Sequence, residues 1–118
     1  MSNLDPPPFA LRSASRGSTL LVEVAGEVDM VTAPELLEAV EAAPDDTTCV
    51  VIDLSEVGFL DSSGLNALIQ ARRALSRRDI TLQVVVPAEG SLRRVFEITR
   101  LTEPLTVIDA RPASLLPA

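Results

Sequence analysis

Residues 49–68 read CVVIDLSEVGFLDSSGLNAL, and their reading decides the fold. The run Thr48–Leu54 is almost continuously apolar and rich in β-branched side chains. That is the pattern of a strand covered on both faces, so it is expected at the centre of a sheet. After a short connection, Asp61-Ser62-Ser63-Gly64 heads the segment LNALIQARRAL, which sets Leu65, Leu68, Ile69 and Leu75 on one helical face. Arg72, Arg73, Arg77 and Arg78 gather toward the end of that helix, where cations complement its dipole. A solvated helix end accounts for them more simply than a phosphate-binding patch.

Working outward, Thr32-Ala33-Pro34-Glu35 has the form of a capping box and predicts a helix with Leu36, Leu37 and Val40 as its apolar stripe. Pro44-Asp45-Asp46 stops it. Ser18–Ala25 places Leu20, Val22 and Val24 on one side at period two, with Phe9–Arg12 as a short strand before it and a hairpin around Ser13–Gly17. Downstream, Thr81–Val86 reads as a strand, Ser91–Ile98 as a helix and Leu105–Ile108 as a last short strand. Strands alternating with helices imply parallel neighbours joined by right-handed crossovers. The class is α/β: a single domain at 9–109 with a mixed four- to five-stranded sheet and helices packed against it. Three consecutive prolines predict a flexible leader over 1–8, and 110–118 reads as a short tail too broken by proline to form a packed helix.

Composition narrows the function. A chain of 118 residues, 47% hydrophobic, can build one core but hardly two. Met1–Asp61 carries twelve acidic residues and two arginines, a net −10, whereas Ser62–Ala118 is net +3. An acidic first half argues against nucleic acid or anionic membrane as the main ligand and favours a protein partner with a basic patch. No run of about 18 apolar residues and no signal-peptide pattern occurs, so a cytoplasmic location without membrane insertion is expected. The single cysteine, Cys49, cannot form an internal disulfide and reads as a buried, reduced core residue. Without histidine, Ser-His-Asp and Cys-His chemistry and the usual zinc sites are excluded. Neither a phosphate loop nor GxGxxG occurs. With three Phe and no Trp or Tyr, a small-molecule pocket is poorly supported. A non-enzyme without metal or cofactor follows as the expectation.

Taken locally, Asp-Ser-Ser-Gly has a structural explanation: Ser is a favoured N-cap, Asp suits the positive helix end and Gly eases the turn. Gly58 and Gly64 read as turn residues, and Asp53, at a strand end, as a loop cap or a binding group. In company the signal sharpens. Gly26-Glu27-Val28-Asp29 with Thr32-Ala33-Pro34-Glu35-Leu36, then Val51-Ile52-Asp53-Leu54 through Phe59-Leu60-Asp61-Ser62-Ser63-Gly64-Leu65, then Leu92–Leu101, together resemble the STAS family from Phe9 to Asp109. The resemblance implies a stand-alone anti-sigma factor antagonist with a STAS-like fold, its helices packed mainly on one face of the sheet. In such proteins the unphosphorylated form binds an anti-sigma factor and frees the sigma factor. The anti-sigma factor is itself an ATP-dependent serine-protein kinase, which phosphorylates the first serine of the motif, here Ser62, and a metal-dependent serine phosphatase resets it. ATP and metal therefore belong to the partners. The resemblance further implies a docking surface of Glu27, Asp29, Asp61, Ser62, Ser63, Gly64 and Asn66. The same fold also serves as a regulatory subunit of transporters or stress-sensing complexes, and nucleotide binding has been suggested for it. The chain departs from the family pattern at Arg100, where a glycine is usual, and in its short segment after the last strand.

Chemistry alone makes a case for a switch at Ser62. A hydroxyl on the exposed first turn of a helix is open to a kinase, and free backbone N–H groups and the dipole would receive the phosphate. That local gain is about 0.3–1 kcal/mol, and the neighbouring Asp61 offsets part of it, so the main effect is expected at a docking interface. Ser63 is the competing acceptor, unless its oxygen is occupied as the N-cap.

Overall fold

The computed structural model describes residues 8–116, and the leader expected over 1–8 lies outside them but for Pro8. The elements in order are β1 (Ala10–Arg16), β2 (Thr19–Val28), α1 (Ala33–Glu41), β3 (Cys49–Leu60), α2 (Ser62–Ser76), β4 (Thr81–Val85), α3 (Ser91–Ile98) and β5 (Val107–Ile108). A single 3-10 turn follows at Ala113–Leu115. The fold is α/β, with one five-stranded sheet in the order β1-β2-β3-β4-β5. β1 runs antiparallel to β2 and every later pair is parallel. Each parallel crossover steps to the next neighbour in the same direction, so right-handed connections send all three helices to one face.

On that face Leu20, Val22 and Val24, then Val50, Ile52 and Leu54, then Leu82, Val84 and Val86 meet Leu36 and Val40 of α1, Leu68 and Leu75 of α2 and Phe96 of α3. Burying each such large side chain contributes about 1.5–3 kcal/mol, which is what holds short helices in place. Ala67 and Ala71 take the place against the sheet expected of Ile69, which is only half-buried. Arg72, Arg73, Arg77 and Arg78 are all exposed, and Arg78 also donates to the carbonyls of Ala43 at 2.8 Å and Pro44 at 3.2 Å, tying the end of α2 to the turn after α1.

The strands differ from expectation in extent: β2 runs past Ala25 to Val28, and β5 keeps only Val107–Ile108 of the expected Leu105–Ile108. β1 continues to Arg16, and its hairpin closes on Gly17-Ser18 alone, with Arg16 opposite Thr19. Gly17, at φ +61°, supplies the left-handed residue that such a tight turn requires. β3 continues to Leu60, so the connection expected over 55–60 is itself strand. Its 12 residues lie beside the 10 of β2, and two register shifts, between Glu23 and Ala25 and between Gly26 and Glu27, absorb the excess. Gly58 is the extra residue of the second shift rather than part of a turn.

Among the described residues the opposite face carries no α-helix. Val51, Val85 and Leu115 form a small cluster there, with Leu21, Cys49 and Ile108 packed against it. Cys49 is therefore half-buried on this second face, not sealed in the main core as expected. Residues 110–116 form no α-helix, but their 3-10 turn buries Leu115 against the sheet.

Candidate functional site

The residues singled out in the sequence converge where β2 and β3 end and α1 and α2 begin. Asp61 is the N-cap of α2: its backbone is extended, at φ −96° and ψ −171°, and its Oδ1 accepts the N–H of Ser63 at 2.8 Å and of Gly64 at 3.2 Å. Its own N–H donates to the Val28 carbonyl at 3.2 Å, which fixes the head of the helix to β2. Ser63 is thus not the cap. It is half-buried, whereas Ser62, the first helical residue, is exposed. Asp61 already occupies two of the first-turn amides expected to receive a phosphate on Ser62. The dipole remains as local attraction, and the adjacent carboxylate opposes it.

Gly64 is needed for proximity, not for a turn. A Cβ there would lie 2.7 Å from Leu60 Cγ and 3.1 Å from both Val28 Cγ1 and the Val28 carbonyl oxygen. Only a residue without a side chain lets α2 begin so close to the sheet. Gly26 is constrained more strongly, with φ +90° and a would-be Cβ 2.8 Å from the Phe9 Cα and the Pro8 carbonyl oxygen.

The neighbouring β2–α1 loop is organised by Asp29. Its Oδ1 accepts the N–H of Val31 at 2.9 Å and of Thr32 at 3.1 Å. These bonds, the Thr32 amide foremost, outweigh desolvation and hold the carboxyl below the ordinary aspartate range. The Thr32 hydroxyl accepts the Asp29 N–H at 2.9 Å and donates to the Glu27 carbonyl at 2.9 Å. It makes no capping bond to α1, so the capping box expected at Thr32–Glu35 is replaced by an aspartate-centred turn that faces back into the loop. Glu27 itself is half-buried in β2.

Exposed apolar side chains frame the same end of the domain: Met30 and Val31 are each 75% exposed in the loop, and Phe59 is 50% exposed near the end of β3. Composition had not marked them. The signal available was a Met-Val pair placed between a strand and a helix, outside either apolar stripe. Met30, Pro34 and Leu37 line a groove of about 250 Å³ between α1 and α2 together with Ser63, Asn66 and Gln70. Sequence reasoning also missed a cluster on the helix-free face. There Asp53, buried in β3, accepts the Ser55 N–H at 2.8 Å and hydroxyl at 2.5 Å, and Arg111 bridges it to Glu23. Among the described residues no helix is long and apolar enough to cross a membrane, and no group of three His, Cys, Asp or Glu could hold a metal.

A family profile described as "Mlab, STAS domain" matches residues 11–109. The anti-sigma-B factor antagonist of Listeria monocytogenes serovar 1/2a is 41% identical over 81 residues, which span 68% of this chain and 70% of that protein. The crystal structure of an anti-sigma factor antagonist from Mycobacterium paratuberculosis superposes with a TM-score of 0.78 at 31% identity, over 92% of each chain. The Bacillus cell fate determinant SpoIIAA in its phosphorylated form superposes with a TM-score of 0.63 over 88% of this chain and 92% of that one. At 20% identity that likeness is one of fold.

Proposed function

The chain belongs to the STAS domain family, and from that premise we propose that it is an anti-sigma factor antagonist switched by phosphorylation of Ser62. It acts by binding. Unmodified, it docks on an anti-sigma factor that is also a serine-protein kinase, in the cytoplasm, and releases the sigma factor. Phosphorylated, it no longer docks until a metal-dependent phosphatase removes the group.

One observation carries this reading: Asp61, not a serine, caps α2, so the Ser62 hydroxyl stands exposed at the head of the helix. The docking face comprises Ser62, Ser63 and Asn66, the loop set by Asp29, and the exposed Met30, Val31 and Phe59, with Glu27, Asp61 and Gly64 fixing the backbone beneath. Aromatic and methionine side chains of this kind are enriched at interfaces. Since the cap is already complete, a phosphate gains little locally, and its roughly −1.5 to −2 charges act chiefly on the partner. One unfavourable unit-charge contact at about 4 Å near a protein surface costs about 4 kcal/mol, nearly three decades in affinity.

The test is incubation with ATP and the kinase-type anti-sigma factor of the source genome, followed by mass spectrometry and binding titration. Phosphate should appear on Ser62, and Ser62→Asp should bind about 100- to 1,000-fold more weakly while Ser62→Ala binds as wild type. Phosphate on Ser63 or elsewhere, or undiminished binding by Ser62→Asp, would overturn the reading.

A further inference from the structure

Residues 110–116 cross the face of the sheet opposite the three helices, without joining it. Their backbone-to-backbone hydrogen bonds are internal: Leu115 N–H to the Pro112 carbonyl at 2.9 Å and Leu116 N–H to the Ala113 carbonyl at 3.2 Å. Among the described residues, side chains hold this segment to the body at three points. Leu115 is buried on Val51 and Val85. Arg111 donates through Nε to Asp53 and through a terminal nitrogen to Glu23. Arg16, at the end of β1, donates to the carbonyls of Ser114 at 3.1 Å and Leu116 at 3.3 Å.

The Arg111 contact has a specific electrostatic origin. Glu23 and Asp53 are direct cross-strand partners in the β2–β3 register, an arrangement in which like charges repel. Arg111 lies between them and converts that repulsion into two charge-assisted hydrogen bonds. The other charged group on this cluster is Arg12, which reaches Glu23 at 3.3 Å from an exposed position and leaves Asp53 untouched. Releasing the tail breaks no ladder hydrogen bond. It uncovers Val51 and Val85 and strands two facing carboxylates.

From this we propose that residues 110–116 form a strap that opens and closes as a unit over a sheet that stays folded, with Arg111 as its latch. A segment held by few, clustered side-chain contacts opens at lower free energy than the domain unfolds. Opening of this one-turn plug uncovers Val51 and Val85.

A thiol placed at the plug reads the opening directly. In the full chain with Cys49→Ala and Leu115→Cys, labelling by dithiobis(nitrobenzoate) should be slower than for the same chain unfolded in urea. Below the unfolding transition its rate should hardly depend on urea, because strap opening exposes little surface. Adding Arg111→Met should speed labelling at least ~10-fold while circular dichroism still shows a cooperative fold, since breaking one side of a buried charge pair is costly. Adding Arg12→Met should leave the rate unchanged. A rate that follows urea with the slope of global unfolding, or labelling in the parent as fast as in the unfolded chain, would overturn the proposal. So would indifference to Arg111→Met. If Arg111→Met does not fold, the urea dependence of the parent alone decides.

Discussion

Replacing Gly64 by alanine sets two physical effects of opposite sign against each other. By intrinsic propensity alone, alanine in a helix is more favourable than glycine by up to about 1 kcal/mol. The structure argues the reverse. The added Cβ would come within 2.7 Å of Leu60 Cγ and 3.1 Å of the Val28 carbonyl oxygen. Neither neighbour is free to give way, because Leu60 and Val28 are buried and the Val28 carbonyl accepts the Asp61 N–H. Relief must come from lifting the start of α2 away from the sheet, which weakens the Asp61 cap as well. Overpacking costs about 1–3 kcal/mol and outweighs propensity, so a net loss of about 1–2 kcal/mol is expected. In a domain of this size that lowers Tm by roughly 4–10 °C. Urea and thermal unfolding followed by circular dichroism measure it, with Asn66→Ala, on the exposed side of the same helix, as the propensity control. Gly64→Ala more stable than wild type would refute the claim that close approach fixes this glycine.

Three further outcomes are expected. Ser62→Ala should remove the phosphate acceptor yet leave the urea midpoint within about 0.5 kcal/mol of wild type, because the exposed hydroxyl takes no part in the cap. Arg100 stands at φ +59° after α3, where the Leu101 N–H reaches the Phe96 carbonyl at 2.9 Å in a Schellman-type ending. Arg100→Gly should therefore stabilise by about 0.5–1 kcal/mol in denaturant unfolding. Burial opposes ionisation of Asp53, but the Ser55 and Arg111 hydrogen bonds prevail and bring its pKa below the ordinary 3.8. With the unfolded chain binding the proton more readily, this contribution is complete above about pH 4 and is lost as pH falls through the lower folded value. Asp53→Asn should flatten the acid limb of the stability profile measured by urea titration at several pH values, and a limb as steep as wild type would contradict the assignment.

Much of the domain was legible because local signals agreed with one another. The apolar run around Val50–Leu54 could be nothing but a central strand, and the bounds of α3 at Ser91–Ile98 followed from its pattern. The sequential alternation of elements implied parallel neighbours, and the spatial strand order β1-β2-β3-β4-β5 then put the helices on one side. The exposed position of Ser62 was also expected from sequence, as a hydroxyl on the first turn of an amphipathic helix. The outer half of β3 was hidden, because two bulges interrupt its alternation and make a strand look like a connection.

Which residue caps α2 was decided by the tertiary structure. Aspartate and serine are both good caps, and the choice rests on the extended backbone of Asp61 and its bond to Val28. Gly64 likewise looked like a turn residue until the distance to Leu60 was known. Arg111 and Asp53 lie 58 positions apart, and no periodicity relates them. The sequence by itself determined the order of elements, the main core and the exposed serine, all set by local pattern and burial. The capping atom, the need for glycine and the latch beneath the tail depend on distances between segments remote in the chain, and only folding brings those segments together.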